Sequence, residues 1–315
     1  IMSSDWSSDV CSSDLRSGLY ADFNITGLPD IEQSLIYIDV ESMALYAGDF
    51  STLADIPASL NQIGTVNFRG NFTGFINDFV TYGTFSSQWG TIKTDIQLKP
   101  DEVSPERVTF SGKLSTKNLN LGKLSGEEEL LGTTTMDADI KGATGIDNRI
   151  QANINANIRH IELNRYKWKD IEVKGEITED KFDGSVFARD TNFTMEFSGK
   201  FDFSQQVPAF NFLTIIDNAN LYKLNIDKSD STSQLALALK ADFTGANLDQ
   251  LQGKIHFDEL RYQREEGIIK ADKLHLSVKE GKDSTKYVNV TSDFADLNIS
   301  GIFKFQSLSR SLGNL

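Results

Sequence analysis

Apolar and polar residues alternate with a period of two along most of this chain, as a strand with one buried and one wet face requires. From residue 193 onward, Phe193, Met195, Phe197, Gly199, Phe201 and Phe203 fall on one side, with Thr194, Glu196, Ser198, Lys200 and Asp202 on the other. The same beat returns at Ile92, Thr94, Ile96 and Leu98, at Val108, Phe110, Gly112 and Leu114, and at Ile150, Ala152, Ile154, Ala156 and Ile158. It returns again at Leu235, Leu237, Leu239, Ala241 and Phe243. Further strands are predicted over 171–177, 182–188, 274–278, 288–291 and 297–305, with turns at Asp183-Gly184 and Asn247-Leu248-Asp249. After Ile158 the apolar phase moves to Ile161 and Leu163. A bulge or turn near His160 is therefore expected, because a one-residue slip sends every following side chain to the other face.

Helical periodicity is almost missing. One short helix is predicted over 51–60, with Ser51 as its cap and Pro57 limiting its length. The expected class is all-β, built from antiparallel hairpins. Such a sheet, with no helices to cover it, leaves an apolar face that must close on itself, meet a second sheet or be filled by something else. Segments 136–177 and 237–278 share an order of strand, glycine (Gly142, Gly245), turn aspartate (Asp147, Asp249), strand, tyrosine (Tyr166, Tyr262) and strand. A sheet of repeating units that grows along one axis is the expectation from that order.

Composition narrows the partners. A net charge of −14 and a pI near 4.7 argue against nucleic acid, which is held by clustered lysine and arginine. They do not argue against apolar contact with acyl chains. No run approaches the roughly 18 apolar residues of a membrane-crossing helix. Residues 1–17, IMSSDWSSDVCSSDLRS, repeat Ser-Ser-Asp three times without strand or helix period, and read as a disordered leader or sequence artefact ahead of 18–315. That leader holds Cys11, the only cysteine, so no disulfide framework or thiol chemistry is expected elsewhere.

Catalytic patterns are missing too. The sequence has no nucleophile elbow, phosphate loop or dinucleotide fingerprint. His160, His256 and His275 have no second ligand at a recognisable metal spacing, and are expected on the solvent face. The runs Glu127-Glu128-Glu129 and Glu265-Glu266 read as solvated turn charge. A non-enzymatic protein without cofactor or metal is expected. An outer-membrane β-barrel, whose strands also alternate, and a sealed extracellular β-sandwich are the competing readings.

Several stretches have a familiar style. Residues 21–31 (ADFNITGLPDI), Asp55-Ile56-Pro57, residues 64–79 (GTVNFRGNFTGFINDF) and 89–100 (WGTIKTDIQLKP) resemble the TamB/AsmA-like family of Gram-negative envelope proteins. Residues 248–255 (LDQLQGKI) resemble its repeating strand-turn units. The resemblance covers residue 18 to the end, most specifically before residue 120. It implies an elongated, curled antiparallel sheet, an open groove with an apolar concave face. It also implies a periplasmic location, with an N-terminal inner-membrane anchor helix outside this sequence.

The implied role is to conduct or shelter phospholipid between the two membranes, and to aid outer-membrane protein assembly or secretion. The implied partners are phospholipid acyl chains, an outer-membrane barrel protein and nascent outer-membrane strands. The expected groove lining is Ile92, Ile96, Leu98, Phe110 and Ile154, then Phe193, Met195, Phe197, Phe201, Phe203, Leu235, Leu237, Leu239 and Phe243. Physics makes such a lining useful. At about 0.8 kcal/mol per exposed CH₂, an acyl chain of about 16 carbons in water carries a penalty of roughly 12 kcal/mol.

Overall fold

The computed structural model describes residues 16–46, 49, 60–101, 104, 107–144 and 149–305. Among them are eighteen strands, one five-residue α-helix and two 3₁₀ turns. The chain divides into two units, Ile1–Asp170 and Ile171–Leu315.

The first unit carries β1 (Gly18–Thr26), β2 (Leu35–Tyr46), β3 (Thr65–Phe75), β4 (Asp78–Ser87), β5 (Gly90–Pro100) and β6 (Val108–Lys117). After these come β7 (Leu119–Asn120), α1 (Leu121–Ser125), β8 (Leu131–Thr144) and β9 (Ile150–Leu163). Each strand from β1 to β6 pairs antiparallel with the next, β6 then pairs with β8, and β8 with β9. The unit division falls inside β10 (Tyr166–Thr178), where Asp170 takes a left-handed φ of 51°.

The second unit continues with β11 (Lys181–Asp190), β12 (Phe193–Asp202), β13 (Ala209–Asn220), β14 (Gln234–Thr244) and β15 (Gln252–Arg264). It ends with β16 (Gly267–Glu280), β17 (Lys286–Ser292) and β18 (Asp296–Gly301). Each of these strands also pairs antiparallel with its successor. The all-β class expected from the alternation is what folds. The antiparallel sheet is open and is not closed into a barrel.

Bulges keep the apolar side chains in phase. Along β8 and β9 the register passes from Met136 opposite Ile158 to Thr135 opposite His160, leaving Arg159 as the extra residue. Ile161, opposite Thr134, is thereby returned to phase, and this is the bulge expected near His160. The turn at Asn247 also forms, as a 3₁₀ turn Leu248–Gln250 whose Gln250 N–H donates to the Asn247 side chain.

Two expectations are corrected and a third falls outside the described residues. Asp183-Gly184 is not a turn but lies inside β11, where Gly184 sits opposite Gly175 and Gly199. The rows of apolar partners to either side fix that register, and they outweigh the local turn chemistry of an Asp-Gly pair. The strand expected over 297–305 stops at Gly301, and Phe303 and Phe305 instead pack on Leu251, Val278 and Val288. The helix expected over 51–60 lies outside the described residues except for Leu60, which opens the 3₁₀ turn Leu60–Ile63. Among the described residues a helix the alternation did not announce is α1. Its start is set by Asn120, whose side chain accepts from Lys123 N–H, and its end by Gly126 at φ 82°.

At the start of the described chain, Arg16 and Ser17 already make fixed contacts. Both donate their N–H to the Asp49 carboxylate, and the Arg16 guanidinium lies 4.8 Å from the centre of the Tyr46 ring.

Candidate functional site: the apolar face

Strand register turns the alternation into rows. In the second unit Phe182, Phe201, Phe210 and Phe243 stand directly opposite one another in β11 to β14, and the row runs on to Gly253 and Val278. A second row runs through Val186, Phe197, Thr214, Leu239, Phe257 and Leu274. Between them lies Gly184, Gly199, Phe212, Ala241, Ile255 and Leu276. A further row passes from Ala188 through Met195 and Ile216 to Leu237, and the next sets Phe193 against Ala219 and Ala219 against Leu235. Each six-strand row spans about 24 Å at the usual strand spacing.

The first unit repeats the arrangement. Phe79, Leu98, Phe110, Gly142 and Ala152 make one row, and Phe72, Thr81, Ile96, Gly112, Ile140 and Ile154 the next. Phe68, Phe85, Ile92 and Thr116 make a third.

With the exception of Phe203, the expected lining residues of each unit therefore share one face of that unit's sheet. Ile92, Ile96, Leu98, Phe110 and Ile154 lie together in the first unit. Phe193, Met195, Phe197, Phe201, Leu235, Leu237, Leu239 and Phe243 lie together in the second. Phe203, just past the end of β12, is 55 % exposed and meets Phe210 edge-on at 5.6 Å.

Burial shows how the face is covered. Its deepest positions include many small residues, such as Ala138, Ala152, Ala156, Ala188, Ala219 and Ala241. Ile92, Ile96, Leu98, Phe110, Ile154, Phe201, Leu239 and Phe243 are only half-buried, whereas Phe193, Phe197 and Leu237 are buried. A sealed core would bury most large apolar side chains on its inner face.

Two segments cover parts of the second unit's face. Phe303 and Phe305 lie on Val278 and Val288 and are held there by the Phe305 N–H donating to Asp249 Oδ1 at 2.6 Å. Toward the opposite end of the strands, the loop between β13 and β14 is tied down by Tyr262, whose hydroxyl donates to Asp227, and by Asp230. Asp230, only 6 % exposed, accepts from the Thr232 hydroxyl, the Thr232 N–H and the Glu265 N–H. These donors, the Thr232 hydroxyl foremost, pull its pKa from 3.8 to about 2.

Glycine lets the rows close up. Gly253 has φ 140°, and a Cβ there would lie 2.3 Å from the Asp242 carbonyl oxygen and 2.8 Å from the Phe243 Cβ. Gly74 plays the same part beside Phe79, at φ 143°.

The opposite face is polar and wet. Asp183 and Lys200 pair at 2.6 Å, Glu172 and Arg189 at 3.2 Å, and Asp202 and Lys181 at 3.1 Å across neighbouring strands. The hydrogen bond to Asp183 raises the Lys200 pKa above its ordinary value. Exposed pairs of this kind add little stability, but they mark the solvent side. Leu213 and Ile215 interrupt that side and are 48 % and 37 % exposed.

Cavities in the first unit open on the polar side as well. One of about 690 Å³ is lined by Asp39, Glu41, Arg69, Tyr82 and Lys93 among others, and another of about 470 Å³ by Lys93, Lys117, Asp137, Arg159 and His160. In the second of these, the Ser115 hydroxyl and then Arg159 lower the Asp137 pKa, and burial lowers that of His160. Among the described residues no group of three or more His, Cys, Asp or Glu side chains is placed to hold a metal ion. Among the same described residues no helix is long and apolar enough to cross a membrane.

No protein-family model, curated protein or solved structure matches this chain.

Proposed function

We propose that this chain is a non-enzymatic segment of an envelope protein whose apolar sheet face conducts or shelters phospholipid acyl chains. The observation that carries the reading is the set of mainly apolar rows in each unit, many of their large side chains only half-buried, on one side of an open sheet and opposed by a largely polar side. Removing an acyl chain from water is worth roughly 12 kcal/mol for about 16 carbons, and a row of Phe, Leu, Ile and Val across six strands offers contact without selecting a headgroup. Catalysis needs a convergent polar constellation, whereas this role needs only a continuous apolar floor.

The likeness of residues 21–31, 64–79 and 89–100 to TamB-like sequences supports the same reading. It adds a periplasmic location, an inner-membrane anchor beyond this sequence, and an outer-membrane barrel protein or nascent outer-membrane strands as further partners. The acidity of the chain weighs against nucleic acid.

The test is mass spectrometry of organic extracts from the full chain, expressed in the periplasm and purified without detergent, beside a Phe197→Glu, Phe201→Glu double variant. Stoichiometric phospholipid in the parent, lost in a variant with unchanged circular dichroism, is the expected result. A folded parent without lipid would overturn the proposal.

A further inference from the structure

Two of the three histidines face each other. His256 on β15 and His275 on β16 are directly opposed, on the polar side of the strands that carry Ile255, Phe257, Leu274 and Leu276 on the apolar side. The hairpin fixes this pairing, because Arg264 opposite Gly267 leaves a two-residue turn, Glu265 and Glu266, from which the register runs back to 256 and 275. The ring centroids lie 4.6 Å apart with the planes at 73°, and the two Nδ1 atoms point at one another in contact. Neither ring has another hydrogen-bond partner among the described residues, and both are half-buried.

A pair of neutral imidazoles meeting nitrogen to nitrogen shares a single proton, one ring donating and the other accepting. A metal ion takes both lone pairs at once. We infer that His256 and His275 form a two-point chelate for a borderline divalent transition-metal ion, with water in the remaining coordination positions. Imidazole nitrogen suits Cu²⁺, Ni²⁺ and Zn²⁺, bound at roughly 2.0–2.1 Å in the case of zinc, and does not suit Mg²⁺ or Ca²⁺, which take oxygen. The hairpin holds the two backbone positions in register before the ion arrives, and a small turn of the rings separates the Nδ1 atoms to the roughly 3 Å that two nitrogens on one ion require.

The surroundings moderate the affinity. Lys240 stands opposite His256 and Thr291 opposite His275, while Lys254, Asp258, Lys273 and Ser277 are the next polar-side residues along the two strands. The three lysines are exposed and repel a cation through solvent, so a dissociation constant on the order of micromolar is expected for two ligands. The site does not depend on the lipid proposal, because it lies on the other side of the sheet.

The test is titration of the full chain with Cu²⁺, Ni²⁺, Zn²⁺ and Mg²⁺, in a Cys11→Ser background so that the single thiol cannot compete. The expected result is one equivalent of Cu²⁺, bound more tightly than Ni²⁺ or Zn²⁺, with electron paramagnetic resonance showing two nitrogen ligands, and no response to Mg²⁺. His256→Ala and His275→Ala should each weaken binding at least about tenfold, while His160→Ala leaves it unchanged. His256→Thr and His275→Thr, which keep a β-branched side chain on the strand, serve if the alanine variants lose structure. No binding at about 100 μM Cu²⁺, or binding that persists in both histidine variants, would overturn the inference.

Discussion

Phe210 and Phe243 stack across β13 and β14 at 4.8 Å, with 23° between their ring planes, from directly opposed positions. They are the centre of the apolar row that Phe182 and Phe201 lead into and Gly253 and Val278 continue. The rings touch each other within one sheet, and each keeps part of its surface exposed. How much that contact stabilises separates an open face from a sealed core.

Phe210→Ala should lower the unfolding free energy by about 1–2 kcal/mol, short of the roughly 3–5 kcal/mol of a fully enclosed phenylalanine. The denaturant midpoint of the delipidated protein measures this. A loss at the upper end of the sealed-core range would mean that something covers the ring.

Gly253→Ala should cost more than its single methyl suggests. Its φ of 140° is one that side chains rarely adopt, and the added Cβ would lie 2.5 Å from the Phe243 Cα. A loss of about 2–4 kcal/mol is expected, combining backbone strain with a displaced strand. Gly18→Ala, where a Cβ meets nothing within 4 Å, is the control and should stay within about 0.5 kcal/mol. Equal effects in the two variants would contradict this account.

Acid should loosen the β13–β14 loop. Asp230 has a folded pKa of about 2 against an ordinary 3.8, so its contribution to stability is present above the unfolded value and is lost as pH falls through the folded one. Amide exchange at Thr232 and Glu265, corrected for its intrinsic pH dependence, should lose protection between about pH 4 and about pH 2. Asp230→Asn should flatten that dependence. Unchanged behaviour in the variant would assign the acid sensitivity elsewhere.

Asp249→Ala should release the segment that carries Phe303 and Phe305. The carboxylate accepts the Phe305 N–H at 2.6 Å, and the Lys286 ammonium, which donates to the Asp249 carbonyl, lies 5.7 Å from the Phe305 ring. Hydrogen exchange should show faster exchange at Phe305, with a stability loss of about 1–2 kcal/mol. Protection left unchanged would mean that ring packing alone holds the segment.

Strand positions were legible because alternation is a local property that each strand writes by itself. Phe193 through Asp202, Ile150 through Leu163 and the bulge near His160 could all be read without knowing any partner. Pairing could not. His256 and His275 are nineteen residues apart, and their meeting became visible only when the Glu265-Glu266 turn set the register. That turn is the available signal, yet in sequence alone Glu265-Glu266 has the look of solvated charge. Asp183-Gly184 failed for the converse reason, since its local turn chemistry yielded to Gly175 and Gly199 on the neighbouring strands. The stop at Gly301 was hidden because Phe303 and Phe305 continue the alternation while packing on Val278 and Val288.

The bulge at Arg159 also bears on how a gene for such a sheet can change. Exchanging one apolar residue for another on the face leaves parity intact, so Ile, Leu, Val and Phe can drift among themselves at modest cost. Losing one codon inside β9 is a different event, because every side chain from that point to the next turn changes sides, wet residues going inward and apolar ones out. Arg159 is the extra residue that already absorbs one such step, so a deletion there is matched by an unpaired position, while a deletion at Asn155 is not. Such a sheet is accordingly free in spelling and strict in counting.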